Sequence, residues 1–309
     1  MRVIEQHRTE EFSLYRGDCV EVIQGIPDNS VGYSIFSPPF ASLYTYSSSP
    51  RDMGNCPTHA DFSEHLSHLI PELFRATMPG RLLSFHCMLL PTTKTRDGFI
   101  GLTDFRGMLI RMFQDAGWIF HSEVVIWKDP VTAMQRTKAL GLLHKQIKKD
   151  SCMSRQGIPD YLVTMRKPGD NPEPVSGRLT EFVGEGYPET GKESDSRSIE
   201  IWQRYASPVW SDINSSDTLQ YRSAREHNDE RHICPLQLQV IRRGLQLWSN
   251  RGDIVLSPFA GIGSEGFEAI RMGRKFVGIE LKASYYEQAK LNLISALKDT
   301  MPLFAGVDL

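Results

Sequence analysis

The sequence predicts an α/β fold: a doubly wound parallel sheet with helices on both faces, its two halves written in permuted order along the chain. Three observations carry that expectation. Residues 12–127 alternate short apolar runs with amphipathic helical spacings, the pattern of a sheet covered by helices. Gly261, Gly263 and Gly266 stand at Gly-x-Gly-x-x-Gly spacing between a strand-like run and a helical one. A single further strand, 276–279, follows those glycines, so the remaining strands of that sheet are expected from the N-terminal half.

The bulk properties are those of a water-soluble globular chain. Of 309 residues 40% are hydrophobic and 23% charged, and the length fits one large domain or two small ones. A net charge of -2 gives no global sign of nucleic-acid binding, so any basic surface has to be local. Cys19, Cys56, Cys87, Cys152 and Cys234 are scattered without close pairs, which argues against a disulfide framework or a cysteine zinc site. Reduced thiols, no apolar signal region after Met1 and no run near the roughly 20 apolar residues of a membrane helix lead us to expect a cytoplasmic protein with no membrane partner.

Along the N-terminal half, 12–15 reads as a strand, Arg16-Gly17-Asp18 as a turn, 19–23 as a short helix and 31–36 as a buried strand. That strand runs into Ser37-Pro38-Pro39-Phe40. A long Ser- and Tyr-rich loop follows over 41–58, with Tyr44, Tyr46, Arg51 and Asp52 in it. The spacing of Phe62, Leu66, Leu69, Ile70 and Leu73 predicts a helix over 61–78, ended by Pro79-Gly80. His65 and His68 lie three apart on it, but a metal site needs further ligands that the sequence does not place, and none is expected. Strands at 82–88 and 123–127 flank a helix at 105–116 closed by Gly117.

After residue 130 the character changes. Arg136, Lys138, Lys145, Lys148, Lys149 and Arg155 form the one basic stretch able to follow a phosphate backbone, and a solvated charged helix is the competing reading. A strand is predicted at 161–165. Residues 168–197, rich in Pro, Gly, Glu and Ser, read as a flexible insertion or part of a recognition region. Trp202, Tyr205, Trp210 and Tyr221 follow among polar residues, where aromatics either stack on bases or pin a loop to the core.

From Pro235 the regularity returns: a helix over 236–247, a strand over 254–256, the glycine loop, a helix, the strand ending at Glu280 and a last helix over 283–298. Glycines alone fit any tight turn with close helix packing. With flanking strands and an acid at the end of the next strand, which can accept from ribose hydroxyls, they read as a nucleoside-cofactor site.

Ser37-Pro38-Pro39-Phe40 taken alone reads as a strand stopping at a Pro-Pro turn. Its second reading is chemical. Two prolines hold the backbone extended without donating, which frees the carbonyls of Ser37 and Pro38, and Phe40 adds an aromatic face. Acceptors beside a stacking face suit a planar ring with an exocyclic amine.

Ser37-Pro38-Pro39-Phe40 followed far downstream by Phe259-Ala260-Gly261-Ile262-Gly263 resembles the amino-group (N4-cytosine and N6-adenine) DNA methyltransferases of the beta arrangement. There the catalytic tetrapeptide comes first, target recognition second and the S-adenosylmethionine loop last. The resemblance covers roughly 12–130 and 230–298 and implies a circularly permuted Rossmann-like sheet. It divides the chain into a catalytic half (1–130), a target-recognition region (131–231) and a cofactor-binding half (232–309).

By position, Ser37, Pro38, Pro39 and Phe40 are the implied catalytic residues. Asp18 is implied near the cofactor adenine, Phe259, Ala260, Gly261, Gly263 and Ser264 around its methionine part, and Glu280 at its ribose. Residues 232–236 resemble the segment leading into that loop. Ser257 and Ser264 depart from the family's usual Asp and Thr. Ser in the first position with Phe in the last is the variant commoner among N4-cytosine enzymes, which favours cytosine, with adenine N6 as the alternative. The implied partner is duplex DNA, with a homodimer or a cognate restriction endonuclease left open. A nicotinamide-dependent oxidoreductase would leave the tetrapeptide without a purpose. A DNA-binding regulator without catalysis would leave both motifs unexplained.

Overall fold

The computed structural model describes residues 3–40, 52–56, 58–137, 142–186, 192–220 and 235–300. Tyr44, Tyr46, Arg51, Lys138 and Tyr221 lie outside the described residues, as does the side chain of Arg136.

The chain opens with an antiparallel pair, β1 (Glu5–Arg8) and β2 (Phe12–Arg16), followed by α1 (Cys19–Ile23), β3 (Val31–Phe36), α2 (His59–Ala76) and β4 (Thr77–Met88). A small hairpin, β5 (Leu90–Pro91) with β6 (Leu102–Thr103), brackets α3 (Lys94–Asp97) and leads to α4 (Phe105–Asp115) and β7 (Ile119–Ile126). Next come α5 (Pro130–Thr137), α6 (His144–Lys149), β8 (Asp160–Arg166), α7 (Asp195–Tyr205) and β9 (Val209–Trp210). The last third holds α8 (Leu238–Trp248), β10 (Ile254–Ser257), α9 (Ser264–Arg271), β11 (Lys275–Glu280) and α10 (Ala283–Thr300).

Among the described residues nine strands form one sheet in the order β1-β2-β11-β10-β3-β4-β8-β7-β9. From β2 to β4 all pairings are parallel, whereas β8 runs antiparallel between β4 and β7. Apolar residues on alternate strand positions feed two cores. One lies under α1, α2 and α4 and takes Phe36, Leu83 and Phe85 from the sheet. The other lies under α8, α9 and α10 and takes Tyr33, Ile35 and Val255. Helices on both faces of a largely parallel sheet are the doubly wound arrangement that the alternating pattern predicts. β10 and β11, from the end of the chain, sit between β2 and β3, from its start, so the sheet is permuted as expected.

Several local details differ from the sequence reading, among them the β5–β6 hairpin, α3 and β9. α2 stops at Ala76 and β4 starts at Thr77, running through Pro79-Gly80 with a register irregularity opposite Val31 and Tyr33. Gly80 takes φ +72°, which a residue with a side chain rarely adopts, and so lets the strand continue past the proline. β1 and α7 have no counterpart in that reading. α7 carries polar residues on most positions and buries Ile201 and Tyr205, too few apolar sites to signal a helix within a Ser- and Glu-rich stretch.

Residues 131–231 supply β8 and β9 to the central sheet. Tyr205 and Trp210 are buried there and, with Phe182, surround the guanidinium of the wholly buried Arg243, whereas Trp202 is 56% exposed. No helix among the described residues is long and apolar enough to cross a membrane.

Candidate active site

Strand order decides where a ligand can sit. From β10 the chain moves through α9 to β11 on one side, and from β3 through α2 to β4 on the other, although β10 and β3 are hydrogen-bonded neighbours. A doubly wound sheet opens a crevice at such a reversal, outside the carboxyl ends of the two strands. The glycine loop leaves β10 at that edge and the tetrapeptide leaves β3 beside it. Phe36 and Phe259 pack ring to ring at 5.8 Å and join the two exits.

On the β10 side the backbone does most of the shaping. Gly261 and Gly263 take φ of +52° and +84°, and a Cβ on Gly261 would point into open space, so a ligand can approach the bare backbone. The Gly261 N–H donates to Glu280 Oε2 at 2.8 Å and the Lys282 N–H to Oε1 at 2.8 Å, which orients the carboxylate at the end of β11. Ala260 N–H donates to the Ile279 carbonyl, and Ser264 is buried at the start of α9. Gly266 serves packing: a Cβ there would stand 2.6 Å from Leu293 Cδ2.

Acids gather around this loop. Burial raises the Glu280 carboxyl to about 7, backbone N–H groups opposing and Asp52 adding to the rise. Burial likewise raises Glu265, on the first turn of α9, to about 8, with Glu280 contributing. The Gly17 N–H donates to the Glu280 carbonyl at 3.0 Å, which brings the 17–18 turn against the loop, and Asp18 caps α1 by accepting from the Val20 N–H. The Ser257 hydroxyl, at the end of β10, is buried with no hydrogen-bond partner among the described residues.

On the β3 side, Pro38 is buried while Ser37, Pro39 and Phe40 are half-buried. Phe40 meets Phe105 edge to face at 6.2 Å and the His86 ring at 6.3 Å. Ser37 Oγ lies 3.0 Å from His86 Nδ1, His86 Nε2 stands 3.1 Å from Asp160 Oδ2, and Lys128 Nζ donates to Asp160 Oδ1 at 2.5 Å. Sequence reading did not single out His86, Lys128 or Asp160. Their one signal was polarity: a histidine inside an apolar strand, and an aspartate opening another.

Lys145, Lys148 and Lys149 are exposed on α6, and His65 Nδ1 lies 3.7 Å from the Cys56 sulfur.

A glycine loop and a Pro-Pro turn that leave neighbouring strands at one switch crevice define the class, a Rossmann-like α/β fold. The chain belongs to the N6/N4 DNA methylase family, which it matches over residues 33–291. It is 25% identical over 276 residues to the type II methyltransferase M.BamHI of Bacillus amyloliquefaciens, covering 88% of this chain and 55% of that protein. It is 45% identical over 56 residues to the DNA adenine methyltransferase YhdJ of Escherichia coli (strain K12), covering 18% of this chain and 19% of that one. The matched regions thus span about half of M.BamHI and about a fifth of YhdJ. Among solved structures it resembles TTHA0409 of Thermus thermophilus (TM-score 0.63, 21% identity, 92% of this chain and 94% of that one). It also resembles the cytosine-N4-specific PvuII DNA methyltransferase (TM-score 0.63, 16% identity, 94% and 90% covered). At these identities the two structures speak to the fold.

Proposed function

We propose that this chain methylates the exocyclic amine of a base in duplex DNA, with S-adenosylmethionine as donor and cytosine N4 as the favoured target. One observation carries the proposal: the tetrapeptide and the glycine loop leave neighbouring strands at the same switch crevice, so an amine held by one faces a cofactor held by the other. Family membership supports the reaction class.

The residues present fit the cofactor. The open face over Gly261 and the oriented carboxylate of Glu280 form a polar cradle of a nucleoside's chemistry. Glu280 would accept from the ribose hydroxyls, Asp18 would lie toward the adenine, and Phe259, Ala260, Gly261, Gly263 and Ser264 would enclose the methionine part. When bound, S-adenosylmethionine supplies a methyl group already activated by its sulfonium. Ser37 Oγ and the Pro38 carbonyl would accept from the two amino hydrogens, drawing the nitrogen lone pair out of conjugation and aiming it. Phe40 would stack on the base once it has left the duplex. No thiolate nucleophile is needed for attack by an amine. Lys145, Lys148 and Lys149, with Arg136 and Lys138, would follow the phosphate backbone.

The preference for cytosine rests on the Ser and Phe at the two ends of the tetrapeptide, the variant commoner among N4 enzymes. The test is to incubate the protein with S-adenosylmethionine and unmethylated duplex DNA of varied sequence, digest to nucleosides and weigh the products. N4-methylcytosine is expected. N6-methyladenine would overturn the choice of base, and no methylated nucleoside at all would overturn the reaction class.

A further inference from the structure

Behind Ser37 the sheet register builds a polar chain that the tetrapeptide alone does not require. Phe36 pairs with Phe85, which sets Ser37 beside His86, and Met88 pairs with Asp160, which brings the start of β8 up to the same histidine. Asp160 is also opposite Ile126, two residues before Lys128. The groups follow at 3.0, 3.1 and 2.5 Å: Ser37 Oγ to His86 Nδ1, His86 Nε2 to Asp160 Oδ2, Asp160 Oδ1 to Lys128 Nζ. His86 and Asp160 are 8% and 2% exposed, and the Phe40 ring stands beside the imidazole.

Each link sets the polarity of the next. Burial pushes the Asp160 carboxyl up, but His86 and the Lys128 ammonium beside it outweigh that rise and hold the group below the usual range, so it is an anion. His86 Nε2 and Asp160 Oδ2 lie 3.1 Å apart, off the alignment of a hydrogen bond, and at that distance an anionic oxygen still favours a proton on Nε2, because two lone pairs would repel. In the neutral ring Nδ1 is then a bare acceptor, and the donor that meets it among the described residues is the Ser37 hydroxyl, at 3.0 Å. With its proton committed inward, Ser37 turns lone pairs alone toward the crevice.

We propose that His86 and Asp160 are positioning residues that make Ser37 an obligate hydrogen-bond acceptor, so that the site takes a base edge bearing an amino group and rejects one bearing a carbonyl. The inference rests on the functional reading above for the identity of the ligand, but the polarity of Ser37 belongs to the protein alone. A free serine hydroxyl donates or accepts as required and offers no such choice. One locked as an acceptor leaves a carbonyl oxygen facing another oxygen with no proton between them, the kind of mismatch by which built polar sites discriminate strongly. The selection embraces cytosine N4 and adenine N6 alike and excludes the keto edges of guanine and thymine.

The test begins without catalysis. Long-range proton–nitrogen correlation on the protein labelled with nitrogen-15 in its histidines reads the tautomer of His86 directly, its signals being assigned by their loss in His86→Asn. A proton on Nε2 with a bare Nδ1 is expected; a proton on Nδ1, in the neutral ring or in a doubly protonated one, overturns the proposal, whatever the protein methylates. The second arm is a double-mutant cycle in single-turnover methylation, with S-adenosylmethionine affinity measured alongside. Asp160→Asn and His86→Asn should each slow methyl transfer by about 10²-fold or more and leave cofactor affinity within about twofold, as when a catalytic histidine loses its orienting carboxylate. Because His86 acts only through Ser37, adding His86→Asn to Ser37→Ala should slow transfer no further. Additive losses would mark His86 as a structural rung of the sheet and refute the proposal. A wild-type protein with the Nε2–H ring that methylates no DNA would refute the functional reading and leave the polarity of Ser37 supported.

Discussion

Arg81 and Asp253, 172 residues apart in sequence, form a buried ion pair across the amino-terminal end of β3. Their side chains are 1% and 6% exposed, and Asp253 also accepts from the Asn250 N–H at 2.7 Å while Arg81 donates to the Glu173 carbonyl at 2.9 Å. The arginine starts on β4 and reaches over β3 to the residue before β10. It passes at Gly32, where a Cβ would stand 2.7 Å from Asp253 Cγ and 3.0 Å from Arg81 Nη2. The pair clamps the permuted halves together at the edge opposite the crevice, leaving the carboxyl ends open to ligands.

Gly32→Ala should therefore lower stability by about 1–3 kcal/mol through overpacking against the clamp. Urea denaturation checks it. An unchanged midpoint would show that the arginine passes elsewhere.

The two sides of the crevice should separate in kinetics. Phe40→Ala is expected to slow single-turnover methyl transfer about 10- to 100-fold, the worth of one base–aromatic stack, with cofactor affinity preserved. Glu280→Ala should instead weaken S-adenosylmethionine binding about 10-fold or more, as loss of charge-assisted hydrogen bonds does. Equal effects of both substitutions on cofactor affinity would refute that division.

Replacing Lys145, Lys148 and Lys149 together by glutamine should weaken DNA binding and flatten its salt dependence by about 1 in slope for each lysine that touches a phosphate. Binding measured across a salt series decides it. An unchanged slope would mean that these exposed side chains face solvent in the complex as well.

The buried carboxyls around α9 predict an unusual pH dependence of the unliganded protein. Burial raises Glu265 to about 8, and Glu268 and Glu280 to about 7, from an ordinary 4.5. Between 4.5 and those values the folded chain binds more protons than the unfolded one, so these groups make stability fall as pH rises from about 4.5 to about 8. Thermal unfolding over that range should show the fall, and Glu265→Gln should flatten its upper part. A melting temperature that climbs steadily with pH would contradict this account.

What local chemistry can encode was legible in the chain. Alternating apolar spacing announced the layers, because a helix or strand must bury one face whatever its neighbours are. The glycine loop and its acid were readable because positive-φ turns and close packing demand glycine in place, as Gly261, Gly263 and Gly266 do. The prolines of the tetrapeptide marked a strand end for an equally local reason, their missing donors. Motif order predicted that β10 and β11 would complete a sheet begun by β2 and β3, and they do.

The tertiary structure alone decided which polar residues meet. His86, Lys128 and Asp160 lie on separate elements, and their approach to Ser37 depends on register, where a slip of one residue would turn every side chain to the other face. The same holds for Arg81 and Asp253, which meet because Gly32 leaves room between them. A sequence states each residue's chemistry and its local period. Distance between strands arises only when the two cores close on the sheet, and it is that distance that turns a serine able to donate or accept into one positioned to accept.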